Sequence, residues 1–292
     1  MREPNHSLLD LKLEPGTNGN ARNLKWMTAD PSGRAWPRFL VFFIIAMASI
    51  PVLLNDSFFA VINKPSGLFT QAASGIESVE SVLREQWKLP DHQATPFVGL
   101  PHRLDRGTSG TLIIARNQRS LQRLGEQFHS RKVHKRYLAA VQGIPQEKVG
   151  TWIDYLRKIP DRPVAEITEP GVEGAKIAEL DYRFLCSSAD VSLLDIELKT
   201  GRMHQIRIQA ASRGHSVLGD WCYGNQTVWG EIDHRGERIA LALHAAAIQF
   251  RNPQNARPIQ VAAPLPQLWR ENLPLPLVTA ATEFLNQFPL IQ

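Results

Sequence analysis

Residues 101–117, PHRLDRGTSGTLIIARN, crowd polar side chains together: His102, Arg103, Asp105, Arg106, Thr108 and Ser109, interrupted by Gly107 and Gly110. A carboxylate flanked by guanidinium groups has its charged form favoured, which is the state a nucleophile or general base needs near neutral pH. A second polar segment, TGRMHQIRIQAASRGHSVLGDWCYG at 200–224, adds Arg202, His204, Gln205 and Arg207. One carboxylate in a loop more often caps a turn or pairs with an arginine than reacts. Two basic clusters around it shift the reading toward chemistry on a polyanion, because cationic side chains release the counterions condensed on nucleic acid. The residues alone thus suggest a nucleic-acid enzyme working with one aspartate and no metal.

These side chains need elements to carry them. The first segment runs into TLIIA, a strand, so its polar part reads as a loop held over a cleft by a rigid element. In the second, Arg202, His204 and Arg207 stand among apolar residues as on a strand, with Ile206 and Ile208 on the opposite face. Elsewhere the pattern is that of a mixed α/β chain. FFAVINKP is expected as a strand ending in the turn KPSG, and Ser78–Trp87 as a helix with Val79, Val82 and Leu83 on one face. Asn117 is expected to cap a helix carrying Leu121, Leu124 and Phe128, which leads into the basic run SRKVHKRY. YLAAVQG at 137–143, IAELDYRFL and SLLDIELKTG read as strands, the last two half-buried, with Leu194, Ile196 and Leu198 on one side. Residues 144–175, rich in Pro, Gly and charge, read as an irregular excursion with at most short strands. IALALHAAAIQF supplies one or two strands, and NPQNARPIQVAAP a hairpin and a final edge.

The chain of 292 residues carries 33 Lys and Arg against 28 Asp and Glu, a net charge of +5, which suits a phosphate-bearing partner. Cys186 and Cys222 form no CxxC pair and the histidines no HExxH pattern, so neither a metal nor a disulfide is expected, and reduced thiols fit the cytoplasm. Residues 1–50 are expected as a poorly ordered tail ending in an apolar run, with Met47 an alternative start. The run from Phe39 to Leu54 follows Arg34 and Arg38 as a membrane anchor would. It is shorter than the roughly 20 residues needed to span a bilayer, and Pro51 interrupts it. No membrane partner is therefore expected, and the end of the run reads as the first strand of a single domain over 51–270, followed by a C-terminal extension over 271–292.

HRLDRGTSG closely resembles the signature of the RluA-type pseudouridine synthases, and four further segments match in the family's order across roughly 51–268: INKPSG near the start, KRYLAAVQG after the basic helix, TGRMHQIRI with GHSVLGDWCYG, and LHAAAIQF followed by NP. The resemblance implies an α+β pseudouridine synthase fold, a mixed, largely antiparallel sheet with a central active-site cleft, and the cofactor-free conversion of uridine to pseudouridine in ribosomal or transfer RNA by a monomer. It implies that Asp105 is the catalytic aspartate, Tyr137 the aromatic stacked on the target uracil, Arg207 the ion-pair partner of the aspartate, and Arg103 the side chain that replaces the flipped nucleotide. Arg106, Lys135 and Arg202 are expected to bind RNA, and Lys64 with Gly67 to shape a turn beneath the cleft. Leu180 departs from the family, where a threonine is common, and no segment resembles the small S4 RNA-binding domain of several relatives. A catalytically inactive RNA-binding or ribosome-assembly factor is the alternative, which the intact Asp105, Tyr137 and Arg207 set disfavours. A third reading, a protein tethered to a membrane by residues 39–54, predicts partition of the chain with membranes.

Overall fold

The computed structural model describes residues 49–89, 94–230, 232 and 239–288. Nearly all of the expected tail, and the apolar run up to residue 48, lie outside them. The end of that run forms strand β1 (Val52–Asn55). It is followed by β2 (Phe59–Lys64), α1 (Val79–Gln86), β3 (Ser109–Ala115), α2 (Gln118–His129), β4 (His134–Gln142), β5 (Val149–Lys158), β6 (Ala165–Thr168), β7 (Lys176–Ser188) and β8 (Val191–Leu198). Then come α3 (Gln205–Ala211), a 3-10 turn at Trp221–Tyr223, β9 (Leu243–Arg251), β10 (Pro258–Ala262), α4 (Gln267–Asn272) and α5 (Leu275–Leu285).

Ten of these strands form one sheet in the order β1-β2-β3-β9-β4-β8-β7-β5-β6, with β10 also on β9. Every pairing is antiparallel except β3 with β9, which run parallel and meet only at Ser109 opposite His244 and Gly110 opposite Ala245. From Ala247 onward β10 takes over that edge of β9. The two halves of the sheet are thus joined by a two-residue seam, at the point where the HRLDRGTSG loop enters β3. On the far side of β9, its pairing with β4 shifts register between Arg136 and Leu138, so Tyr137 sits at a bulge. Bulges next to active sites re-aim side chains in this way.

Local chemistry accounts for the helices. Ser78 and Ser81 form a reciprocal capping box on α1, whose Val79 and Leu83 enter the core. The Asn117 side chain accepts from Ser120 N at the start of α2, and Leu124 is buried from there. A main core of Leu138, Leu193, Leu194, Ile196 and Trp269 receives Leu277, Ala281 and Phe284 from α5, so part of the C-terminal extension packs into the fold. A second cluster, Phe59, Val61, Ile113, Leu124, Phe250 and Ile259, packs around the β2-β3 and β9-β10 pairs beneath α2.

Three expectations need correction. Residues 205–211 form the helix α3 and not a strand: Gln205 through Ala210 are all buried, so alternation of polar and apolar types carries no information about faces there. Residues 144–175 contain the ten-residue β5 and the shorter β6, because β5 pairs along most of its length with β7 despite its surface-rich composition. The central part of β8 is covered on both faces rather than half-buried, with Leu193 and Asp195 as inaccessible as Leu194 and Ile196.

Candidate active site

The loop carrying Asp105 is fastened from several directions. Ile113 N donates to His102 Nε2 at 2.9 Å, and the imidazole stacks on Phe128 with ring centroids 4.4 Å apart. That bond requires an unprotonated Nε2, consistent with burial, and then the charge of Lys135, lowering His102 to about 3. Leu104 exchanges two hydrogen bonds with Thr70 Oγ1, at 2.7 and 3.1 Å. Lys64 is fully buried beneath the loop and donates to the carbonyls of Pro65, Arg106 and Thr108 at 2.8, 3.1 and 2.8 Å. Three acceptors match the three protons of an ammonium, while burial pulls its pKa to about 7 against the raising influence of Asp105. Gly67 N donates to Arg106 O, so the KPSG turn lies against the loop.

At the far end Ser109 Oγ lies 2.9 Å from Nδ1 of the buried His244, across the seam. The two glycines are dictated by backbone approach. A Cβ on Gly107 would stand 2.3 Å from Ile239 O, and one on Gly110, at φ +113°, 2.2 Å from Ala245 O.

Asp105 faces α3. Its Oδ2 lies 3.3 Å from Arg207 Nη1 and 3.8 Å from His204 Nε2, two residues three apart that share one face of the helix start. His204 has left-handed backbone angles, φ 52° and ψ 25°, at the N-cap. Its Nδ1 lies 3.0 Å from the Tyr223 hydroxyl, which also bonds the backbone of Ala165. Burial holds the His204 imidazole below its ordinary pKa, opposed by Asp105. Arg207 donates from Nε and Nη2 to the two oxygens of the buried Asp220, at 2.7 and 2.8 Å. Burial would lower this guanidinium, but the hydrogen bonds and charge of Asp220, followed by the charge of Asp105, raise it above its usual value. A permanently charged, bidentately fixed arginine is thereby presented to Asp105. Tyr137 is buried and lines the same cleft; burial, then the charge of Asp105, raises its phenol above the ordinary range, so it stays protonated.

The cleft has two lobes, with cavity volumes of about 660 and 890 Å³, which share residues 102–105, Met203, His204 and Arg207. The smaller lobe contains Tyr137, Lys135 and Arg202, together with Arg131. Arg131 lowers both Lys135 and Arg202, in each case after burial. Arg103 is exposed at the junction of the lobes. Arg106 is turned toward the KPSG side, its Nε donating to Gly67 O at 3.1 Å and its guanidinium 4.8 Å from the Phe69 ring centre. All seven expected residues line the cleft. Asp220, Tyr223 and Arg131 carry no individual signal in the sequence, although the first two stand in the GDWCYG segment.

The sequence profile of the RNA pseudouridylate synthase family matches residues 59–212. Ribosomal large subunit pseudouridine synthase C of Buchnera aphidicola subsp. Acyrthosiphon pisum is 33% identical over 221 residues, covering 73% of this chain and 67% of that protein. Synthase D of Xylella fastidiosa is 34% identical over 226 residues, covering 75% of this chain and 66% of the relative. The chain thus aligns with about two thirds of the length of these relatives. Human RNA pseudouridylate synthase domain containing 4 superposes with a TM-score of 0.62 at 21% identity, over 87% of this chain and 100% of that structure, which shows a shared fold.

Proposed function

The chain belongs to the RNA pseudouridylate synthase family, whose reaction isomerises uridine in RNA to pseudouridine, and we propose that here the reaction runs on large-subunit ribosomal RNA with Asp105 as the reacting carboxylate. The observation that carries this reading is the placing of Asp105 against the fixed Arg207, in one cleft with Tyr137. Relatives named for the ribosomal large subunit support the choice of RNA.

The isomerisation breaks the bond from N1 to C1′, turns the base, and joins C5 to C1′, with the C5 proton lost and N1 protonated, so nothing is consumed. A uridine within a stack must first be extruded, at a cost of a few kcal/mol. Arg103, free of hydrogen bonds and ion pairs among the described residues, is free to fill the vacated place, and the Tyr137 ring to hold the extruded base. The first step, attack on C1′ or removal of the C2′ proton, needs an unshared electron pair on Asp105. Oδ2 is the oxygen that Arg207 and His204 approach, and Oδ1 has no hydrogen-bond partner among the described residues. Oδ1 is therefore the oxygen we assign to the sugar. Exclusion of bulk water once RNA fills the cleft would keep the detached base from being lost by hydrolysis.

Pseudouridine mapping of total RNA from cells with and without the gene identifies the target. The expected result is a site in large-subunit ribosomal RNA present only with the gene and restored by the wild-type protein but not by Asp105→Asn, which should still bind RNA. Turnover by purified Asp105→Ala, or a lost site confined to transfer RNA, would overturn the corresponding part of the proposal.

A further inference from the structure

The two lobes of the cleft differ in chemistry. Beyond the residues they share, the smaller holds the cations Arg131, Lys135, Lys199 and Arg202, which fit a phosphate backbone. Among the described residues, the larger adds only Arg106 and Asp220 as charged residues of its own. Asp220 is spent on Arg207, and Arg106 lies over Phe69. What this lobe offers instead is two exposed aromatic rings, Phe69 at 36% and Trp221 at 50% exposure, with Pro163 and Val164. Half-exposed aromatics lining a cavity that opens onto the reacting carboxylate are the surface on which nucleobases stack.

We propose that Phe69 and Trp221 form a stacking site for the unpaired base adjacent to the target uridine, which makes this chain selective for uridines in single-stranded segments. The inference rests on the reading of the cleft as an RNA site and adds a recognition element to it. A base in a duplex has both faces covered by its neighbours and its edge paired, so neither ring can reach it. A base next to an extruded uridine in a loop has a free face, and both rings line the lobe that also holds Asp105.

The test uses the full chain and a single-stranded RNA pentamer with a central uridine flanked by 2-aminopurine, whose fluorescence is quenched on stacking. Wild type and Trp221→Phe should quench it. Trp221→Ala and Phe69→Ala should lose most of the quenching and bind roughly 10- to 100-fold more weakly. The same strand annealed to its complement should give no quenching with any variant. Equal quenching and affinity in Trp221→Ala and wild type, or no binding of the pentamer by wild type, would overturn the proposal. The readout needs no turnover, so a protein that stacks the base but forms no pseudouridine refutes the assigned reaction and leaves the stacking site standing. On an RNA that is turned over, the loss in Trp221→Ala should appear in KM.

Discussion

Lys135 lines the basic lobe with a pKa that burial, and then Arg131, bring down to about 8. Phosphate binding favours the charged ammonium, so affinity is at its full value below this pKa and declines as the pH rises through it. The dissociation constant for RNA should therefore rise by up to about tenfold from pH 7 to pH 9. Lys135→Arg should flatten that profile, because a guanidinium stays charged throughout. Titration of RNA binding at constant ionic strength checks both. At this scale the sequence was legible where a residue's neighbours in the chain stated its environment. Asp105 sits among arginines in its own loop, whereas Asp220, the buried clamp on Arg207, is surrounded in sequence by Gly, Trp and Cys. Its role arises only from the return of the chain onto α3.

Elements explain why the Asp105 loop keeps its shape. Gly110 is at once the end of the loop, a strand residue of β3 and a contact of Ala245 in the seam. Gly110→Ala adds both a strained φ and a collision with a backbone carbonyl, and should cost roughly 3 kcal/mol or more. The urea midpoint should fall accordingly, and the catalytic rate should fall in the protein that remains folded. Caps and apolar spacing made α1 and α2 legible, since Ser78 and Asn117 mark their starts by type. Helix α3 was not legible, because a helix buried all round shows no amphipathic period. Its entry through the left-handed His204 leaves no cap signature either. The strand expected there grouped Arg202, His204 and Arg207, and the helix brings them to the same cleft by a different geometry.

Across the whole molecule, the half-buried His102 and the fully buried His244 are both held neutral, with pKa values lowered by desolvation to about 3 and about 4. The unfolded chain takes up protons near pH 6.5 that the folded chain refuses until the pH is far lower. Native stability is therefore unaffected by this pair above about pH 6.5 and falls as the pH drops below it. From pH 7 to pH 5 the loss should be roughly 2 kcal/mol for each histidine. Urea unfolding at the two pH values measures it, and His102→Gln should lose its share of the slope. The fold as a whole was legible through five ordered motifs, but the two-residue junction at Ser109 and Gly110 was not, since nothing local to either strand announces a partner so distant. That junction also places the enzyme's assembly in time. Asp105 leaves the ribosome 102 residues ahead of Arg207, and Ser109 leaves 135 residues ahead of His244. At synthesis rates of roughly 5–20 residues per second, the carboxylate waits on the order of 5–30 s for its arginine and for the strand that closes the sheet. On the proposed function, a nascent chain thus displays the Asp105 loop before the site that would act on ribosomal RNA is complete.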